Sequence, residues 1–334
     1  AAAAVGGVAL LTSTSSSTAD AEVCTGTNML VGLEKTKPDV LASIRAKVEG
    51  LPYGEGLLWR IEAKGVAPSF VYGTMHLSDP RLLELSPKVK TAFEGSTTLA
   101  LEIKDILDPE AVKAKMQGMV KYTTYTDGST LSDYLTDEQE KVTKATFGKR
   151  SSIPWFLAKR LRPWAVMGAI AAPACEAARK AAGKPFLDQS LAQQADKSGK
   201  ELVSLETIES QIKAMASMPE KDMARALYET ALLGEKLDDI FETMISLYTE
   251  EKIGVIWSMM KHVGQNGLQM EEEDASYAEF QRVIVDKRNF SMADSSEALI
   301  KKGGAFIAVG ALHLPGEKGV LNILAQRGYT ISRE

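Results

Sequence analysis

Two short apolar runs, each closed by Gly-x-x-His-Leu, constrain this chain more than any other feature of its 334 residues. Ser69-Phe70-Val71-Tyr72 leads into Gly73-Thr74-Met75-His76-Leu77. Ala305-Phe306-Ile307-Ala308-Val309 leads into Gly310-Ala311-Leu312-His313-Leu314. Both runs are rich in β-branched and aromatic residues, so they read as buried strands. The glycine of each motif is expected to end its strand, because glycine tolerates the backbone that a sharp exit requires. Each histidine then falls just past the carboxyl end of a strand, where open α/β sheets bind their ligands. The sequence holds three histidines, and two of them share this context 237 positions apart. They are either two unrelated hydrogen-bonded residues or two rings facing one cleft, and the symmetry of the pair favours the second.

Two glutamates fall in similar places. Thr97-Thr98-Leu99-Ala100-Leu101 reads as a strand ended by Glu102, and Leu202-Val203-Ser204-Leu205 as a strand ended by Glu206. The cleft set is therefore His76, Glu102, Glu206 and His313. Imidazoles with carboxylates, and no nearby cysteine, suit a divalent transition metal. Such an ion would make a bound water nucleophilic, with one glutamate as general base. Each glutamate also fits a plainer role, as a carboxylate at a helix N-terminus. Arg288 could pair with a cleft carboxylate, hold a substrate carboxylate or oxyanion, or be an exposed helix charge. No HExxH, G-x-S-x-G elbow or glycine-rich phosphate loop is present. His262 lies in a helical pattern, and Cys175 beside Glu176 shows no sign of being a nucleophile.

A net charge of −5 provides no basic footprint, which argues against a nucleic-acid partner. The longest apolar run, Ala1–Leu11, is too short to span a bilayer, so no transmembrane segment is expected. Followed by a Ser/Thr-rich stretch and Ala19-Asp20-Ala21, it resembles a truncated secretory signal, and residues 1–21 are set apart from the fold. Export would place the two cysteines in an oxidising compartment, so Cys24 and Cys175 are expected to be bonded.

The rest of the pattern predicts a fold class. A helix over Lys37–Gly50 precedes a hairpin of Leu57–Ala63 and Phe70–Tyr72 that delivers His76. Ser86-Pro87 opens the next helix. From Asp105 to about Ser276 helices dominate. Asp108-Pro109-Glu110 starts one, and Leu131–Glu138 contains another cap before Val142. Trp155–Ala172, apolar nearly all round, predicts a buried helix kinked or interrupted at Pro163. Met215, Met218 and Met223 read as gap-filling core, and Glu271–Asp274 as a solvated loop. Phe280–Leu299 predicts one helix, stopped by Gly303-Gly304. The expectation is an α/β protein with a central mixed sheet from its N- and C-terminal portions. A large helical insertion, 105–276, would cap the cleft.

In their order along the chain these motifs resemble the TraB/GumN family, whose relatives include the Tiki proteases and, by fold, the ChaN and erythromycin-esterase groups. The resemblance runs through Cys24-Thr25-Gly26-Thr27-Asn28, Leu58-Trp59-Arg60-Ile61, both Gly-x-x-His motifs, Leu99-Ala100-Leu101-Glu102, Leu187-Asp188, Ser204-Leu205-Glu206-Thr207-Ile208-Glu209 and Asp286-Lys287-Arg288-Asn289. It marks 22–334 as one family domain of α/β type. It implies a periplasmic or secreted hydrolase, of metalloprotease type, acting on peptide or protein substrates with Mn, Co or Zn. His76 and His313 would be ligands, Glu102 and Glu206 ligand or base, and Arg288 and Asn289 supports of the catalytic site. A metal-independent His/Glu ester or amide hydrolase and a non-catalytic peptide binder remain as alternatives. Oligomeric state is left open.

Overall fold

The computed structural model describes residues 24–268 and 275–334, and the side chains of 261–277 are not described. The signal-like segment 1–21, the acidic run Glu271–Asp274 and the His262 side chain lie outside that description.

Six strands form one mixed sheet: β1 (Leu58–Glu62), β2 (Ser69–Thr74), β3 (Thr98–Leu101), β4 (Glu201–Ser204), β5 (Ala305–Gly310) and β6 (Thr330–Arg333). Their order is β4-β3-β5-β2-β1-β6. β4, β3, β5 and β2 run parallel, while β1 pairs antiparallel with β2 and with β6. The hairpin expected before His76 is present. β3 is buried along its whole length and β5 along all but its last residue, as strands covered on both faces must be. Ile61, Val71, Ile307 and Val309 pack with Met292, Ile300, Val320 and Leu324 of the helices Lys287–Lys302 and Val320–Gln326. β4 is supplied by the middle of the chain and not by its two ends, because Leu99 to Leu101 offer it a parallel edge.

The parallel register lines up the strand ends. Thr74 pairs with Gly310, and Leu101 pairs with both Ala308 and Ser204. Beyond the strands, the Glu206 N–H still donates to the Glu102 carbonyl at 2.9 Å, which keeps the two glutamates side by side.

The chain forms two compact units. One contains the sheet and comprises Asn28–Leu107, Pro185–Gln211 and Thr243–Glu334. Part of the stretch 105–276 therefore belongs with the sheet. The other is built on Asp108–Lys184 and Ile212–Glu242 and is helical. In it Leu131, Phe147, Val166, Ile170, Ala224 and Leu227 form a core. Thr136 and Gln139 make a reciprocal capping box at the start of the helix Asp137–Arg150. Cys24 and Cys175 are joined by a disulfide in this unit.

Three expectations change. The interruption expected at Pro163 is present, since Trp155–Ala158 ends and Pro163 opens a separate helix, Pro163–Ile170, where its missing N–H costs nothing, but Trp155–Ala172 is not buried throughout. Phe156 and Leu157 of the first piece are exposed. The helix expected over Phe280–Leu299 contains a π-helical stretch, Gln281–Asp286, ahead of Lys287–Lys302. A further helix, Met29–Thr36, precedes Pro38–Ala46 where the sequence suggested a single one. Among the described residues no helix is long and apolar enough to cross a membrane.

Candidate active site

The carboxyl ends of the four parallel strands carry the candidate residues, all within the sheet unit. Neither motif glycine adopts positive φ, so the backbone reason expected for them does not hold. The reason is space. A Cβ on Gly73 would lie 2.7 Å from Leu314 Cδ1 and 3.0 Å from Ala311 Cβ, in the turn of the other motif. A Cβ on Gly310 would sit 3.2 Å from Glu102 Oε1, 3.4 Å from His313 Cδ2 and 3.7 Å from His76 Nε2. The two imidazoles and Glu102 thus border one small volume, kept open by the missing side chain of Gly310.

Each ring is oriented through Nδ1. His76 Nδ1 lies 2.8 Å from Asp188 Oδ2, and the hydroxyl of Thr74, inside the motif, donates to Asp188 Oδ1 at 2.8 Å. Asp188 belongs to the first turn of the helix Leu187–Lys197 and is 3% exposed. Asn289 Oδ1 accepts from His313 Nδ1 at 2.6 Å, while Asn289 Nδ2 donates to the Lys318 carbonyl, which fixes the amide's orientation. In both cases Nδ1 is committed to an oxygen and Nε2 is left for other work.

The glutamates are tied together. Arg288 Nη2 donates to Glu102 Oε2 at 2.7 Å and to Glu206 Oε2 at 2.6 Å. Its Nε reaches both oxygens of Glu206, at 3.1 and 3.0 Å. Gln211 Nε2 donates to both carboxylates at 3.1 Å. Glu102 Oε1, by contrast, accepts the Gly310 N–H at 2.8 Å and faces His76 Nε2 at 3.7 Å.

These contacts set the charges. Asp188 pushes the His76 imidazole up to about 10, helped by Glu102 and opposed by desolvation. The ring is 53% exposed, and water on its open face weakens that pull. Burial pushes His313 down to about 4, with Arg288 and His76 adding to the effect against the pull of Glu102. Burial would raise the Glu102 carboxyl, but His76, His313 and Arg288 hold it well below the usual carboxylate range. Arg288, though buried, is raised by Glu206 and Glu102.

All six sequence-named residues, His76, Glu102, Glu206, Arg288, Asn289 and His313, lie in this connected set. Of the options for Arg288, pairing with the cleft carboxylates is present in the structure. Sequence reasoning assigned no role to Thr74, Asp188 or Gln211. Thr74 stood inside a motif already singled out. Asp188 stood in a stretch quoted for the family resemblance but lies 112 positions from His76, and Gln211, five positions from Glu206 and 109 from Glu102, is marked by no motif. Among the described residues no group of three or more His, Cys, Asp or Glu side chains is arranged to hold a metal ion. The donor chemistry nevertheless fits one: two imidazoles anchored through Nδ1 by oxygen acceptors are the usual support of metal-binding histidines. In the arrangement described, His76 Nε2 and Glu102 Oε1 face each other at 3.7 Å without a hydrogen bond between them.

A family model described as the TraB/PrgY/gumN family matches residues 57–333. Metalloprotease TIKI1 of Danio rerio is 26% identical over 318 residues, covering 82% of this chain and 62% of that protein. Metalloprotease TIKI2 of Danio rerio is 25% identical over 312 residues, covering 82% and 60%. Metalloprotease TIKI2 of Xenopus tropicalis is 25% identical over 329 residues, covering 84% and 61%. The chain thus spans about three fifths of the length of these relatives. No solved structure matches it.

Proposed function

The chain belongs to the TraB/PrgY/gumN family, and from that membership and the geometry of the sheet edge we propose that it is a metal-dependent hydrolase of peptide bonds. The relatives named metalloproteases support the reaction class. One observation carries the reading: His76, His313 and Glu102 border the same volume beside Gly310.

His76 Nε2, His313 Nε2 and Glu102 Oε1 would hold a divalent ion such as Mn, Co or Zn. Bound there, the ion supplies a Lewis acid and a water of lowered pKa. Asp188 and Asn289 orient the two rings. Arg288 and Gln211 occupy Glu102 Oε2 and so leave Oε1 as the oxygen that faces the volume. Glu206, with both oxygens on Arg288, acts as the positioning carboxylate of that arginine. Asp188 favours the protonated form of His76, which ligation requires to be neutral, so binding is expected to release protons and to tighten as pH rises. Metal analysis and titration of chelator-treated protein, with peptide cleavage in parallel, test the reading. His76→Ala and His313→Ala should each abolish metal uptake and cleavage; retention of both in either variant would refute it.

The Asp188–His76–Glu102 line favours a second reading, in which protonated His76 acts as a general acid in a metal-free hydrolase. Undiminished activity in EDTA would select it. The Cys24–Cys175 disulfide supports an oxidising compartment, the periplasm or the exterior. Fractionation of cells expressing the natural protein would check this.

A further inference from the structure

The helical unit carries a charge pattern that the net charge conceals. Residues 141–162 contain seven Lys and Arg and no Asp or Glu, in a chain whose net charge is −5. Arg150 is committed to Asp238, and Arg162 to Glu220. Lys144, Lys149, Lys159 and Arg160 have no carboxylate in ion-pair contact among the described residues. Glu140, the acid that precedes the stretch, accepts a hydrogen bond from the Trp155 indole at 2.8 Å, and Lys159 and Lys144 act on its carboxyl at longer range.

Within this stretch two neighbouring apolar side chains face water. Phe156 is 64% exposed and Leu157 46%. A single exposed leucine needs no explanation. This pair differs because its backbone is held in place. Trp155 packs edge-to-face on Phe147, with ring centroids 5.6 Å apart, and Ala158 is fully buried. The carbonyls of Lys159 and Arg160 accept from the N–H groups of Leu131 and Tyr125 at 2.7 and 2.9 Å. Collapse of Phe156 and Leu157 into the core is prevented, and Arg160 follows them by one turn.

We propose that this face docks on an anionic phospholipid surface, with Phe156 and Leu157 entering the acyl boundary and Lys149, Lys159 and Arg160 meeting the headgroups. An exposed apolar pair within a basic stretch is the composition of interfacial membrane anchors. Anionic lipid attracts each such cation. A purely polyanionic partner would use the charges and leave Leu157 in water. The inference does not depend on the hydrolase reading.

Co-sedimentation of the full chain with vesicles tests it, using phosphatidylglycerol and phosphatidylcholine in equal parts against phosphatidylcholine alone. Binding is expected to the anionic vesicles only. Phe156→Ser with Leu157→Ser should lower partition by about tenfold or more, from the lost apolar burial. Lys159→Gln with Arg160→Gln should lower it about as much. Thermal melts of both variants should match the parent, since Phe156, Leu157 and Arg160 are exposed and Lys159 is half-buried; should the first variant melt lower, Leu157→Gln alone replaces it, and should the second, Arg160→Gln alone replaces it. Three outcomes overturn the proposal: no sedimentation with either vesicle, equal sedimentation with both, or full binding by the Phe156/Leu157 variant. Capture on heparin that is lost with Lys159 and Arg160 but kept without Phe156 and Leu157 would assign the face to polyanions instead, and would also overturn it.

Discussion

The two histidine corners begin from the same motif and end in opposite states. At the first, a half-exposed ring meets a buried carboxylate, and His76 is pushed up to about 10. At the second, a ring 8% exposed meets a neutral amide, and His313 is pushed down to about 4. Both rings are held through Nδ1 at hydrogen-bond distance. The motif therefore delivers a ring to the sheet edge. Whether that ring carries a charge is decided by its surroundings: the Asp188 carboxylate behind His76, and burial for His313, which has only the neutral Asn289 amide at Nδ1.

The largest expected effect lies in the network that both corners share. Arg288→Ala would leave Glu102 and Glu206 buried without their cation, at a cost of about 3–5 kcal/mol. Urea unfolding would check this, and a loss under about 1 kcal/mol would show that Gln211 and water suffice. Next comes the glycine contrast. Gly73→Ala forces a Cβ into Leu314 and Ala311 and should cost about 1–3 kcal/mol. Gly310→Ala meets looser contacts, so it should fold nearly as well while filling the volume between the rings and abolishing cleavage. Equal destabilisation by the two would remove the distinction between a packing glycine and a site glycine.

Exchanging the partners should exchange the charges. Asp188→Asn is expected to bring His76 down from about 10 towards the ordinary 6.5, and Asn289→Asp to raise His313 from about 4. Imidazole NMR titrations read both. A His76 that stays near 10 without the Asp188 charge would assign its shift to Glu102.

The smallest effect is the pH dependence of stability, and the two corners have opposite signs. The His313 contribution is complete above 6.5 and is lost as pH falls towards about 4, because the unfolded chain takes up that proton first. The His76 contribution is complete below 6.5 and is lost as pH rises through about 10. Thermal melts across both windows should therefore flatten on the acid side in His313→Gln and on the alkaline side in His76→Gln. The His76 effect is expected to be the weaker, since half its ring meets water.

Much of the fold was legible. β1, β2, β3 and β5, the caps at Ser86, Asp108 and Thr136, and the stop at Gly303 follow from local patterns of apolar spacing and turn chemistry. The break before Pro163 was half legible, because proline marks an interruption without saying that a new helix starts there. The π-helical stretch Gln281–Asp286 was not, since its residues keep an ordinary helical pattern and the change of pitch is a response to packing.

The sequence by itself determined which side chains reach the sheet edge, because strand periodicity and the Gly-x-x-His spacing are local and leave the two histidines and two glutamates at strand ends. It also determined the acid-free basic run, which is simply composition. Only the tertiary structure decided that Asp188 stands behind one ring and Asn289 behind the other, that Arg288 binds both glutamates, and that Gly310 is open space instead of a turn. Those outcomes depend on desolvation and on contacts between residues 24 to 186 positions apart, and no window of neighbouring residues contains either.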